Sequence, residues 1–171
     1  VDPAQPELGG LMPDGRARIV NPVNVCEDTT SVMDYYGHGT PVSGVVCART
    51  NDGAHFGAGG IASLCGGDGV RNGGCRLMPI KISPGHTGEA TSFDIARAAM
   101  VAADAGARAM NLSYAGDGPS RIERLGMTYA LLRGCVVVVA AGNKGALDPT
   151  LPQYPSAYAS EGLCIQVGAS D

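Results

Sequence analysis

Apolar residues recur at helical spacing in two stretches of the chain, and residues that begin or end helices bound each stretch. The first, residues 91–105, begins at Thr91 or Ser92, whose hydroxyls suit a helix cap. Its predicted apolar face consists of Phe93, Ala96, Met100 and Ala103. The second, residues 119–133, is followed by Gly134, which is typical of a helix end. Both stretches are predicted helices.

Four further stretches have the shorter apolar pattern of β-strands. The clearest, residues 135–141, is a continuous apolar run, which predicts a central parallel strand covered on both faces. The other predicted strands are residues 17–25, 109–113 and 163–169. Because strands alternate with helices, the sequence predicts an α/β domain with a mainly parallel sheet. In such sheets, ligands bind at the carboxyl ends of the strands.

A histidine between two glycines begins another predicted helix. His38 has Gly37 and Gly39 as neighbours, so space is open on both sides of its ring. Thr40 is the expected cap of a helix that continues to about Arg49. A lone histidine in such a place is most often a buried structural residue. The alternative is an imidazole that acts as a base, since the ordinary pKa of imidazole lies near neutral pH.

Composition bounds the class of protein. With 171 residues, of which 44% are apolar, the chain is long enough for one domain, or part of one, with a substantial core. The formal net charge of -4 gives no basic patch, so nucleic acid is not an expected partner. No apolar run has the length that spans a membrane, so no membrane contact is predicted.

Two other histidines, His55 and His86, lie in loops and are expected to be solvated.

Six cysteines in a chain of this length indicate an oxidising compartment, so we expect a secreted or extracytoplasmic protein. Cys65 and Cys75 bracket a glycine-rich loop that a disulfide could close. Looser candidate pairs are Cys26–Cys47 and Cys135–Cys164. A metal site is the competing interpretation. Because the paired Cys-x-x-Cys spacing usual for zinc is missing, no metal site is predicted.

Two motifs of the chain resemble those of the subtilisin-like serine proteases, or subtilases. Residues 37–44, Gly-His-Gly-Thr-Pro-Val-Ser-Gly, are similar to the family's histidine motif, and residues 136–143 are similar to its strand that ends in Ala-Ala-Gly-Asn. Weaker matches occur in the family's order at residues 76–81, 109–113 and 154–169. The resemblance implies a three-layer α/β/α fold with a mainly parallel sheet. It also implies that His38 is the catalytic base and that Asn143 donates a hydrogen bond to the oxyanion.

The resemblance further implies where a substrate binds. The segment that pairs with the substrate backbone as an added strand consists of Leu112, Ser113, Tyr114, Ala115 and Gly116. The primary specificity pocket is expected to be lined by Ala141 and Gly142. The family usually has Ser-Leu-Gly in the pairing segment, so Ala115 departs from the pattern, and its methyl group could narrow the cleft. Ser113 lacks the family's nucleophile motif and is not the expected catalytic serine.

The family's other catalytic groups have no match in the chain. Val1 and Asp2 resemble the pair that follows the catalytic aspartate by three residues, and the nucleophile motif would come after Asp171. Residues 1–171 are therefore expected to be a partial subtilisin-like peptidase domain, truncated at both ends and inactive by itself. Asp34 is a candidate carboxylate partner of the histidine, but we favour a loop residue that accepts hydrogen bonds from nearby backbone amides.

The predicted function is that of a fragment of a secreted serine endopeptidase, which hydrolyses peptide bonds of a polypeptide substrate by an Asp-His-Ser triad. No cofactor is expected, and no motif supports a structural calcium ion. The alternative is a catalytically inactive subtilase-like module used for binding. A third hypothesis, a nucleotide-binding α/β domain, lacks any phosphate-loop motif. The sequence leaves the oligomeric state open.

The resemblance also predicts a strand order. Residues 109–113, 136–140 and 164–168 should pair as parallel neighbours in that order. The strand at residues 77–82 should lie across a gap one strand wide, where the family has the strand of its catalytic aspartate. His38 and Asn143 are expected to face one cleft at the carboxyl ends of the strands.

Overall fold

Short parallel strands and helices alternate along the chain. The computed structural model describes residues 1–49, 63–67, 74–144 and 150–170. They group into two compact units, Val1–Glu89 and Ala90–Asp171. The elements of the first unit are β1 (Val23–Asn24), α1 (Gly39–Cys47) and β2 (Ile80–Lys81). Those of the second are α2 (Ser92–Asp104), β3 (Ala109–Leu112), α3 (Arg121–Leu132), β4 (Val136–Ala140), a 3₁₀ helix (Ser156–Glu161) and β5 (Ile165–Val167).

The sheet of the first unit is a short parallel pair. Val23 of β1 lies opposite Ile80 of β2, and an isolated parallel bridge between Ile19 and Leu77 extends the pairing. The Val20 N–H donates to the carbonyl of Leu77 at 2.8 Å. The strand predicted at residues 17–25 is thus present, although only two of its residues form regular strand.

Helix α1 begins at Gly39, with His38 in the position before its first residue. Thr40 was the expected cap, and this expectation is wrong, because its hydroxyl oxygen accepts the N–H of Asp2 at 2.8 Å instead. The carboxylate of Asp34 takes the capping role and accepts the N–H groups of Gly37 at 2.8 Å and Thr40 at 2.7 Å. A carboxylate suits this place, since the first amides of a helix lack partners and carry partial positive charge.

The other end of α1 is held by the segment at residues 63–67. The N–H groups of Leu64 and Cys65 donate to the carbonyls of Val45 and Val46, at 3.1 and 2.9 Å. These carbonyls belong to the last turn of α1, where no partner within the helix exists. Both ends of the helix that follows His38 are therefore fixed by hydrogen bonds from outside it.

The sheet of the second unit has three parallel strands in the order β3-β4-β5. Leu112 lies opposite Val139, and Ala140 lies opposite Val167. The predicted order of these three strands is confirmed, and so is the α/β class with parallel strands. The gap expected beside the strand at residues 77–82 stays a prediction.

Helices α2 and α3 pack closely through small residues. An atom at the Cβ position of Gly126 would lie 2.6 Å from the Cα of Ala96, so no side chain fits there. The predicted apolar face of α2 is wrong in two of its members, because Phe93 and Met100 are 59% and 42% exposed. The buried positions are Ile95, Ala96, Ala98, Ala99, Ala102 and Ala103. Close approach of the helices favours alanine at the contact and leaves the larger side chains outside.

Strand β4 is not covered on both faces within the described residues, which corrects the sequence prediction. Val137 and Val139 are 1% and 0% exposed, whereas Val136 is 43% exposed. Ile165 and Val167 of β5 are also exposed. The continuous apolar run therefore does not distinguish a strand buried on both sides from one that alternates between core and surface.

Of the three candidate cysteine pairs, only Cys65–Cys75 has its sulfur atoms at bonding distance within the described residues, with Cα atoms 5.6 Å apart. The pairs Cys26–Cys47 and Cys135–Cys164 are not formed. Their sulfur atoms have local neighbours instead: the Cys47 thiol donates to the Ser43 carbonyl one turn earlier, at 3.4 Å. The Cys164 thiol lies 3.8 Å from the carbonyl oxygen of Pro155. His55 lies outside the described residues.

Glu123, in the first turn of α3, is a buried acid that the sequence analysis missed. Its side chain is 5% exposed, and Oε1 accepts the Ser92 hydroxyl at 2.7 Å. Oε2 is buried without a hydrogen-bond partner among the described residues. Burial raises the pKa of the Glu123 carboxyl, and the hydrogen bond from Ser92 offsets this only in part.

We expect the stability of Glu123→Gln, measured relative to wild type, to be higher at neutral pH than at acidic pH. Because the pKa of Glu123 is raised in the folded protein, protonation of this carboxyl favours the folded state. That contribution to the free energy of unfolding is fully present below about pH 4.3, the ordinary glutamate pKa, and is lost as pH rises through the folded-state pKa. Since glutamine does not ionise, the free energy of unfolding of the variant relative to wild type should increase by about 1 kcal/mol or more between pH 4 and pH 7. Urea unfolding at several pH values measures this, with the exposed Glu89→Gln as control. Parallel pH profiles for wild type and Glu123→Gln would contradict the assignment.

We expect Asp34→Ala to destabilise α1 by about 1–2 kcal/mol at pH 7, because two backbone amides lose their acceptor. Burial alone would raise the pKa of Asp34, but the hydrogen bonds from Thr40 and Gly37 outweigh it and leave the pKa lowered. The contribution is therefore present above the ordinary aspartate pKa and is lost as pH falls through the lowered folded value. Amide hydrogen exchange in α1 should show the loss at pH 7, whereas the exposed Asp28→Ala should not. Equal exchange in both variants would rule out the capping role.

Candidate active site

The residues predicted to carry the chemistry are divided between the two units. His38 belongs to the first unit, and Asn143 with all seven predicted substrate-binding residues belongs to the second. Each group is built by its own local structure. The common cleft expected for His38 and Asn143 stays a prediction.

His38 is exposed at the start of α1, with φ −99° and ψ −46°. Within the described part of the chain, its imidazole makes no hydrogen bond. Gly37, at φ +86°, adopts a backbone conformation that favours glycine, and a Cβ atom there would have no atom of the described residues within 4 Å. At Gly39, by contrast, an added Cβ would lie 3.7 Å from Val1 and 3.8 Å from the carboxylate of Asp34, so the open space expected on both sides of the histidine is found at Gly37 alone. The interpretation of His38 as a buried structural histidine is wrong.

The carboxylate of Asp34 accepts hydrogen bonds from the backbone on both sides of His38. Its Oδ1 accepts the Gly37 N–H and its Oδ2 accepts the Thr40 N–H, so one carboxylate brackets the histidine from both sides in sequence. The favoured interpretation, a loop residue bound to backbone amides, is confirmed. A second contact comes from Val1, whose backbone nitrogen donates to the carbonyl of Val32 at 2.9 Å. Together these contacts fix the backbone that carries the imidazole.

His86 has a local role of its own. Its Nδ1 lies 2.9 Å from the carbonyl oxygen of Tyr35, and the two rings are 5.2 Å apart between centroids. Its side chain is exposed. The same tyrosine ring lies 4.7 Å from the ammonium group of Lys81, which also forms an ion pair with Glu27 at 3.4 Å. Among the described residues of its own unit, no contact connects the His86 side chain with the imidazole of His38.

In the second unit, the chain leaves β4 through Ala141, Gly142 and Asn143. The Ala141 N–H donates to the carbonyl of Val167 at 2.7 Å, which continues the ladder one residue beyond the strand. Gly142 then has φ +89°, a conformation that turns the chain out of the sheet and strains any other residue. Asn143 follows with an exposed side chain. A parallel strand that ends in this way presents the amide of Asn143 at the edge where ligands bind.

The segment after β3 reaches the same edge. The side chain of Leu112 is buried, so this residue could offer a ligand only its backbone. Ser113 accepts the side-chain amide of Asn111 at 3.0 Å, and Tyr114 donates to the carbonyl of Ala90 at 3.3 Å. Ser113, Tyr114, Ala115 and Gly116 are all partly exposed.

Gly116 already has a backbone partner within the unit. It forms an isolated antiparallel bridge with Tyr154, and the two hydrogen bonds of the bridge measure 2.6 and 2.9 Å. The backbone of Gly116 therefore closes the predicted pairing segment and is not free to pair with a substrate. Ala115 is the last residue of the segment before this bridge.

Gln153 is a site residue that the sequence analysis missed. Its side chain is 8% exposed, its Oε1 accepts the N–H of Asn143 at 3.2 Å, and its Nε2 donates to Asp117 at 3.4 Å. Asp117 also forms an ion pair with Lys144. A single glutamine in a polar loop has no periodic or motif signal, so only the folded structure connects it with Asn143.

Among the described residues, no group of three or more His, Cys, Asp or Glu side chains could hold a metal ion. The same part of the chain contains no helix that is long and apolar enough to span a membrane.

Comparisons with known proteins agree with these motifs. The chain is 31% identical over 171 residues to a thermophilic serine proteinase of Bacillus sp. (strain AK1). The match covers 100% of this chain and 36% of that protein. It is 29% identical over 160 residues to thermitase of Thermoactinomyces vulgaris, covering 93% of this chain and 50% of that protein. The chain thus spans from about a third to half of the length of these curated relatives.

A solved structure and a family model also match the chain. Sphericase matches with a TM-score of 0.63 and 26% sequence identity, over 86% of this chain and 46% of that structure. The sequence model described as the subtilase family matches residues 1–171, which is the whole of the chain. The chain therefore belongs to the subtilase family.

Proposed function

We propose that this chain is part of a secreted serine endopeptidase in which His38 is the catalytic base and Asn143 is a donor to the oxyanion. The observation that carries the proposal is an exposed imidazole at the start of α1, in a loop whose backbone amides on both sides of the histidine are bound by Asp34. Since no segment within residues 1–171 resembles the family's aspartate or nucleophile motif, we propose that other residues of the whole protein supply both groups.

The proposed reaction needs three kinds of group. A hydroxyl attacks the carbonyl carbon of the peptide bond, a base accepts the proton of that hydroxyl, and hydrogen-bond donors stabilise the oxyanion that forms. An exposed imidazole without a competing hydrogen bond is free to accept the proton and then to donate it to the leaving amine. The side chain of Asn143 is a neutral donor at a strand end, which suits a negative charge that exists only during the reaction.

The substrate is proposed to be a polypeptide that lies along residues 113–115 as an added strand. Backbone pairing of this kind binds many sequences, because the hydrogen bonds use atoms that all residues share. Ala141 and Gly142 are proposed to line the pocket for one substrate side chain. The methyl group of Ala115 stands where the family usually has glycine, so it should favour smaller side chains at the neighbouring substrate position.

An extracytoplasmic location fits a disulfide between Cys65 and Cys75. This bond would join the segment that caps the end of α1 to the chain that leads into β2, so it would stabilise the helix behind His38. Cys75 also donates its N–H to the carbonyl of Cys65 at 2.8 Å, and this contact keeps the two backbones adjacent.

The function is tested in the full-length protein with an unstructured protein substrate and a fluorophosphonate probe that labels activated serines. Wild type should cleave the substrate and take up the probe. His38→Ala should abolish both, and Asn143→Ala should lower kcat by about two to three orders of magnitude with little change in KM. His86→Ala, a change of an exposed histidine outside the motif, is the matched control and should stay active. Full activity of His38→Ala would refute the proposed base, and a wild type without turnover or labelling would favour a binding module.

We expect Cys65 and Cys75 to be linked in protein purified from an oxidising compartment. Closing a loop of roughly ten residues should stabilise the fold by about 2–3 kcal/mol. Peptide mapping without reduction should give one linked peptide pair, and Cys47 should remain a thiol that alkylates only after unfolding. Free alkylation of both Cys65 and Cys75 in the folded protein would reject the link.

A further inference from the structure

We propose that Gln153 is a positioning residue that holds the Gly142–Asn143 turn and so orients the side chain of Asn143. This inference rests on the proposed function, in which Asn143 donates to the oxyanion. Its basis is a single buried amide that contacts both strand-end segments of the second unit, defined here as residues 113–117 and 141–144.

The two ends of the Gln153 amide face partners of opposite kind. Its oxygen accepts the N–H of Asn143 at 3.2 Å, and its nitrogen donates to the carboxylate of Asp117 at 3.4 Å. Turning the amide over would bring two donors together at Asn143 and two acceptors together at Asp117. The network therefore favours one orientation of the glutamine, and with it one acceptor position for the turn.

The backbone at Gln153 is itself anchored. Its carbonyl accepts the Ser156 hydroxyl and the Ala157 N–H, both at 2.8 Å. The next residue, Tyr154, forms the two-bond bridge with Gly116. Because the side chain starts from a fixed backbone and is buried, it can restrain the turn rather than move with it.

Gly142 shows how closely the glutamine packs against the turn. An atom at the Cβ position of Gly142 would lie 2.1 Å from Oε1 of Gln153, so the amide fills the space that a side chain would need. The side chain of Asn143 makes no hydrogen bond within the described residues. The position from which this side chain starts is therefore set by the backbone of the turn, and that backbone is bound to Gln153.

An oxyanion donor is effective when it already points to the place where charge develops. Loosening the turn should weaken stabilisation of the transition state while leaving ground-state binding almost unchanged. Gln153→Met keeps the volume of the side chain but removes both hydrogen bonds. We expect it to lower kcat by about tenfold, which corresponds to the loss of one hydrogen bond, with little change in KM.

A double-mutant cycle separates positioning from general stability. If Gln153 acts through Asn143, Gln153→Met should lower kcat in wild type but have almost no further effect in Asn143→Ala. Gln166→Met is the matched control, because Gln166 also donates from its side-chain amide, to the Ser156 hydroxyl at 3.4 Å, but does not contact the turn. An equal loss of kcat in both backgrounds, or no loss in wild type, would overturn the inference.

A second measurement does not depend on activity. Amide hydrogen exchange at Asn143 should be about tenfold faster in Gln153→Met than in wild type, since its N–H loses its acceptor, and should be unchanged in Gln166→Met. Unchanged exchange at Asn143 in Gln153→Met would overturn the inference whatever the kinetics show. A wild type without peptidase activity would instead refute the proposed function, and exchange at Asn143 would still decide whether Gln153 holds the turn.

Discussion

The parallel register of β4 with β3 and β5 is the constraint on which the second unit depends. Because Leu112 pairs with Val139 and Ala140 pairs with Val167, the three strands end at one edge of the sheet. Residues far apart in sequence meet there, among them Gly116 with Tyr154 and Asn143 with Gln153. A shift of β4 by one residue would turn its buried valines to the surface, so core packing and the position of Asn143 are set together.

The first unit fixes its candidate catalytic group by hydrogen bonding to a charge rather than by a sheet. The carboxylate of Asp34 accepts amides on both sides of His38, and α1 starts directly after the histidine. The imidazole is left exposed while its backbone is held. The two side chains of the proposed mechanism are thus held by different local structures. His38 stands at the start of a capped helix, and Asn143 follows a strand end that is bound to the buried amide of Gln153.

Local signals in the sequence predicted the elements well. The cap at Thr91 is confirmed, with its hydroxyl accepting the Asp94 N–H at 3.1 Å, and α2 and α3 begin and end within two residues of the prediction. Such signals depend on neighbours in sequence, which the sequence itself contains. His38 and Asn143 were identified through the family motifs, because composition and periodicity alone assign no chemistry to either residue.

The errors came where contacts between distant residues decide the outcome. Periodicity could not show that alanines would be chosen for the contact between α2 and α3, so Phe93 and Met100 were wrongly expected in the core. Thr40 has the side-chain chemistry of a helix cap, but the carboxylate of Asp34 is the group that accepts the backbone N–H at the start of α1. Gln153 was not recognised because its partners are 10 and 36 positions away in the chain.

The contact between Gly126 and Ala96 limits how this fold can change by single steps. A methyl group at position 126 would meet backbone atoms of α2, and Ala96 is already small, so trimming its side chain cannot make room. Any larger residue at position 126 must separate the two helices along their length. The spacing of α2 and α3 therefore behaves as a fixed dimension of the scaffold. Substitutions elsewhere in the second unit therefore keep its architecture only while they leave this spacing unchanged.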